Sequence, residues 1–210
     1  MVSYRNPRRT DEHSRRLGLL LAAVGYSVAW VLGLMVPVPA VDIDASAQAV
    51  LGSVVGHEGA VALRALLVHG LAALALVTVA VALARATGAR FVLVAGVVAA
   101  GLSLVQFVLE LVLTGPAGSD AVPSLVDAVN RIDGVKMFAL AGLALAGAAA
   151  IRRSAAVPRW LSGLGVVLAV ALVASGVGYA LLIPALGQAA YVSLPLLLIW
   201  VTGTGVAIAR

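Results

Sequence analysis

Eight side chains in this chain combine chemistry with an unusual setting. Glu58, Arg64 and His69 interrupt the oily stretch GHEGAVALRALLVHGLAALALVTVAVALARATGAR, Gln106 and Glu110 lie in the next one, and Asn130, Asp133 and Lys136 recur every third residue in a third. Carboxylates, an imidazole and an amine are the groups that move protons, and an arginine among apolar residues is a ready anion partner. Their spacing is helical. Ala99, Ser103, Gln106 and Glu110 fall at i, i+4, i+7 and i+11, a single stripe of a helix. Glu58, Ala62, Ala65, His69 and Ala72 make a matching stripe. Arg64 lies about 100° from Ala65 on a helical wheel and so flanks that stripe. Asp127 extends the row of Asn130, Asp133 and Lys136, which share a face where the segment is helical.

The spacing leads us to expect an Arg64–Glu110 ion pair between two antiparallel helices, with His69 near Gln106. With His57, Glu58 and the row of Asn130, Asp133 and Lys136, these groups would line one outward-facing polar region of nearly balanced charge. Two readings follow. Polar groups at helix ends can satisfy one another and fix packing, or they can form a site for a ligand or substrate. For His69 alone a hydrogen-bonded structural role is expected. The row Gly142, Ala146 and Ala150 reads as a helix-packing face.

Most other chemistry is missing. HEGAV, at His57 to Val61, begins like the zinc pattern H-E-x-x-H but places Val61 at the second histidine. With three histidines and no cysteine in the chain, no metal site is expected, and thiolate chemistry is excluded. VASGVG around Ser175 lacks the leading glycine of a nucleophile elbow. No phosphate-binding loop or dinucleotide fingerprint occurs, so no cofactor is expected.

The elements that carry these residues follow from composition. Of 210 residues 62% are hydrophobic and 11% charged, against about 45–50% and about 25% in a soluble domain. Too little charge remains to face water. Six stretches approach the about 20 apolar residues that a bilayer span requires. They are residues 17–37, 59–84, 91–114, 133–151, 160–183 and 189–209, after a basic arm over 1–16. Lys136 falls inside the fourth, and Pro195 near the start of the sixth reads as a packing kink beside Ser193. The expected architecture is all-α, a polytopic bundle of six transmembrane helices over residues 17–210.

Charge sets the orientation. With the N-terminus inside, Arg5, Arg8, Arg9, Arg15, Arg16, Arg85, Arg90, Arg152, Arg153, Arg159 and Arg210 all fall on the cytoplasmic side, which is eleven of the fourteen basic residues. Every loop then agrees with the positive-inside rule, and both termini are cytoplasmic. The charge of +5 is thus an orientation signal rather than a nucleic-acid footprint, since no folded basic domain exists to carry one. The alternative for the first segment is a cleavable signal peptide ending at Ala45–Ala47. Its apolar run is longer than an h-region, and Asp42 and Asp44 intervene.

Several short motifs carry a resemblance. Arg64 in ALRALL, Glu110 in FVLEL, AAVPRWLSGLG from Ala155 to Gly165, and YVSLP from Tyr191 to Pro195 stand in the order of features of a bacterial family of six-span membrane proteins of unknown function. The chain resembles that family from RRLGLLLAAVGYSVAWVLG to the last span. The resemblance implies a six-helix bundle in the bacterial cytoplasmic membrane and no particular activity.

Three functions suit these residues. The first is a non-catalytic membrane component, with the lipid bilayer and a membrane protein as partners and a polar network in its outer half. The second is a binder or transporter of a small amphipathic molecule, using an outward-facing polar pocket. The third is an intramembrane enzyme with Glu110, His69 or Glu58 as acid–base groups. The balance leans away from catalysis.

Overall fold

The computed structural model describes residues 7–115 and 121–210, which form helices and their connections without a strand. We number the helices in chain order. Helix α1 is Pro7–Met35, α2 is the short Ala47–Val54, α3 is Glu58–Thr87, α4 is Arg90–Leu113, α5 is Val122–Arg153, α6 is Trp160–Leu181, α7 is the single turn Pro184–Gly187, and α8 is Ala190–Ala209. Six of these segments are long and apolar enough to cross a membrane, the last of them running through α7 and α8.

The chain's punctuation explains where helices stop. Gly88, at φ +69°, closes α3 in the left-handed conformation that glycine adopts without penalty. Leu182 does the same for α6 at φ +55°, a position where a side chain costs energy. Pro184 then opens α7 at its first turn. Ser46 caps α2, its hydroxyl accepting from the Ala49 N–H at 3.3 Å.

Two helices extend beyond the apolar runs. α5 starts at Val122 rather than Asp133, with Pro123 in its first turn. Its polar opening is therefore helical, which puts Asp127, Asn130, Asp133 and Lys136 on one continuous helix. α1 starts at Pro7, so the described part of the basic arm continues the first long helix.

Packing runs through small residues. α5 lies between α4 and α6, α1 packs on α3 and α8, and α8 also meets α6 and α3. A methyl group on Gly134 of α5 would stand 2.4 Å from the Ala180 backbone nitrogen of α6. Trp200, 1% exposed, fills the space beside Gly147 and Gly165 and donates its indole N–H to the Leu161 carbonyl at 3.0 Å. Gly142 is the exception to the packing row expected from sequence. It is exposed with open space at its α-carbon, and Leu140, Ala144, Gly147 and Ala148 form the buried face instead.

The bundle's flanks are apolar and uncovered. Leu21, Val94, Val108 and Val170 are all more than half exposed, an arrangement that water would penalise. Arg16 donates to the Arg210 carbonyl oxygen at 3.1 Å, so α1 and α8 meet at one end of the bundle. The opposite end carries a small apolar cluster in which Val50 and Val54 of α2 pack with Leu113 and Val122.

Candidate functional site

The buried polar residues gather where α3, α4 and α5 meet. The α4 stripe turns inward as its spacing requires: Ala99 is fully buried, Ser103 8% exposed, Gln106 1% and Glu110 7%. Facing it, α5 presents Lys136, 2% exposed, together with Asp133. The Lys136 amine contacts the Asp133 carboxylate within its own helix at 2.5 Å and donates to the Gln106 amide oxygen at 2.7 Å. Gln106 completes the circuit by donating its Nε2 hydrogens to Asp133 Oδ1 at 3.0 Å and to the Val129 carbonyl at 3.2 Å. Three side chains and one carbonyl therefore tie α4 to α5, and both polar atoms of the amide are used.

One turn further along α4 the bonding is looser. Glu110 Oε1 lies 3.6 Å from His69 Nε2, longer than a good hydrogen bond. His69 Nδ1 and Glu110 Oε2 are both buried and without a hydrogen-bond partner among the described residues.

His69 lies within a local irregularity. Residues Leu66–Leu71 form a π turn inside α3, in which the Ala72 N–H reaches back five residues to the Leu67 carbonyl. Within that wider turn three consecutive residues, Val68, His69 and Gly70, are buried. Val68 abuts Gly33 of α1, and Gly70 has Phe107 of α4 nearby. Such bulges are rare and often sit at functional sites. The sequence carries no signal for this one beyond a glycine within the helix.

Other expected members stand elsewhere. Arg64 does not pair with Glu110. It is half-buried and makes no hydrogen bond or ion pair among the described residues, and the side chain near the Glu110 carboxylate is His69. Glu58 is exposed and accepts from the Gly56 N–H at 2.9 Å, so it closes the start of α3 rather than joining the network. Asn130 is half-buried and makes no hydrogen bond among the described residues. Asp127 pairs with Arg131 at 3.1 Å on the exposed side, and Arg131 also donates to the Ala180 carbonyl of α6. His69 and Gln106 occupy the same neighbourhood without a hydrogen bond between them.

Pairs of hydroxyls also join helices outside this cluster. Ser175 of α6 and Ser193 of α8 share a hydrogen bond at 3.1 Å, and Ser175 also bonds the Ala171 carbonyl. Both hydroxyls are buried, so the serine beside Pro195 joins two helices. Ser27 and Thr202 likewise pair at 2.8 Å between α1 and α8.

Two cavities lie away from the cluster. A cleft of about 770 Å³ is lined by the α5–α6 connection and Arg210, and an apolar groove of about 420 Å³ runs between α1 and α3. Neither touches Arg64, His69, Gln106, Glu110, Asp133 or Lys136. Among the described residues no group of three or more His, Asp or Glu side chains converges as a metal site.

These features define an all-helical protein with six helices of membrane-crossing length and a buried polar cluster among three of them. No family model, curated protein or solved structure matches the chain. The resemblance seen in its short motifs thus extends to six apolar helices and no further.

Proposed function

We propose that the chain is a non-catalytic, multi-pass component of the bacterial cytoplasmic membrane, with both termini inside and the polar cluster serving to lock α3, α4 and α5 together in its outer half. Burial carries this reading: Gln106 and Lys136 are 1% and 2% exposed and bonded to each other. In hydrocarbon a polar group needs a protein partner, and a matched set fixes which helices pack and in what register. The uncovered apolar flanks favour lipid as the surrounding solvent.

The absence of cysteine makes the topology simple to test. A cysteine at Ser46 should react with a membrane-impermeant maleimide in intact cells, and one at Ser154 only after lysis. The reverse pattern would invert the protein. The lock is tested by comparing small molecules that co-purify with the wild type and with Gln106→Leu. No difference is expected. A compound lost from the variant while its helicity is kept would replace the lock with a binding site.

One observation favours a second reading, a binder or transporter of a small amphipathic molecule. His69 Nδ1 and Glu110 Oε2 are buried beside a π turn without partners among the described residues. A guest able to bond both would complete them.

A further inference from the structure

The cluster at the opposite end of the bundle has a different character. The 770 Å³ cleft between the end of α5 and the start of α6 is lined by Arg152, Arg153, Arg159 and Arg210, with Val157 and Pro158 between them. All four arginines are exposed, and none forms an ion pair among the described residues. Little acid is available to neutralise them: in the proposed topology this side carries Asp11 and Glu12 against eleven arginines, and Glu12 is held by Arg16 at 2.7 Å. Trp160, next to Arg159, is 58% exposed, as suits an aromatic ring at the level of lipid headgroups. The volume is within the range of small-ligand sites. Guanidinium groups bind phosphate through paired N–H donors, and basic pockets at the cytoplasmic ends of membrane helices hold anionic headgroups.

We propose that this cleft binds a phosphate group, presented by the headgroup of an anionic phospholipid. The apolar residues between the arginines suit the glycerol portion, which a free phosphate lacks. The inference rests on the bilayer reading and is independent of the lock among α3, α4 and α5.

Native mass spectrometry of the full chain in neutral detergent, with phosphatidylglycerol or phosphatidylcholine added, tests it. The wild type should retain phosphatidylglycerol about tenfold better, and R152Q/R153Q/R159Q should lose the preference. R85Q/R90Q, which removes two arginines at the same end but outside the cleft, should keep it. Equal retention of the two lipids by the wild type overturns the proposal, as does an equal loss in R85Q/R90Q. If the triple variant fails a helicity check, R159Q alone should show a partial loss, and an unchanged preference there also overturns it. Inorganic phosphate provides the other arm. Thermal stabilisation by phosphate in the wild type but not in R159Q, without lipid preference, overturns the lipid source and leaves a site for a soluble phosphate. Maleimide labelling at Ser46 and Ser154 reads out the topology separately, so a failed lipid test and a failed bilayer reading are distinguishable.

Discussion

The Gln106–Asp133–Lys136 triad and the His69–Glu110 pair lie a helical turn apart and differ in how completely they are bonded. In the triad the Lys136 amine contacts two partners and Gln106 uses both ends of its amide. In the pair one contact of 3.6 Å leaves an imidazole nitrogen and a carboxylate oxygen buried without partners among the described residues. The difference begins in sequence separation. Asp133 and Lys136 are three residues apart on one helix, so helical geometry alone brings them together. His69 and Glu110 meet across two helices, and their distance depends on the π turn and on how α3 sits against α4. A closed circuit fixes register, and an open one leaves capacity for a partner.

Removing a member of the triad should have the largest effect. Lys136→Met leaves the Asp133 carboxylate without its cation and the Gln106 oxygen without its donor. Breaking a buried ion pair from one side costs about 3–5 kcal/mol, which thermal unfolding in detergent would read. D133N/K136M should recover part of that loss, since no uncompensated charge remains. If Lys136→Met costs less than the Glu110 variants below, the triad is not the lock.

Gly134→Ala should come next. Gly134 adjoins Asp133, and its added methyl would meet the backbone of Ala180 rather than a movable side chain. Overpacking of this kind costs about 1–3 kcal/mol. A neutral result would mean that α6 can retreat from α5 without disturbing the triad. Replacing both members of the pair, H69L/E110L, should cost about 1 kcal/mol or less, because among the described residues one carboxylate oxygen already lacks a partner, and exchanging both sides of a weak polar contact for apolar groups is nearly neutral. A loss as large as that of Lys136→Met would mean that the pair is as complete as the triad.

How much of this was legible in the sequence varies with the kind of residue. The α4 stripe was legible in full, because a 3.6-residue period dictates that Ala99, Ser103, Gln106 and Glu110 share a face, and all four are buried. The α3 stripe was legible only from Ala65 to Ala72. At its N-terminal end Glu58 finds a backbone N–H and stays in the open. Partners across helices were not legible. Hydropathy places residues by depth but leaves rotation and register free, and Val129 supplies a backbone acceptor that no side-chain pattern could announce. The α5 boundary was hidden because residues 122–132, which mix polar and apolar side chains, read as a loop on a hydropathy scale.

Arg64 should show the smallest effect, and it is the most pointed test of the comparison. An arginine inside an apolar stretch demands a partner, and Glu110 at matching depth was the obvious one. The structure gives Glu110 to His69 and leaves Arg64 half-buried with no ion pair among the described residues. A long side chain in that position can extend its guanidinium toward water while its stem covers apolar surface. Arg64→Gln should therefore change stability by about 0.5 kcal/mol or less, as for surface substitutions without specific partners. R64E/E110R sharpens the point, because residues in direct contact show coupling of about 0.5–3 kcal/mol and independent ones add. The double variant should be as unstable as the sum of the two single variants. A double variant that recovers most of the loss would show that Arg64 and Glu110 meet, and that the carboxylate is shared between Arg64 and His69.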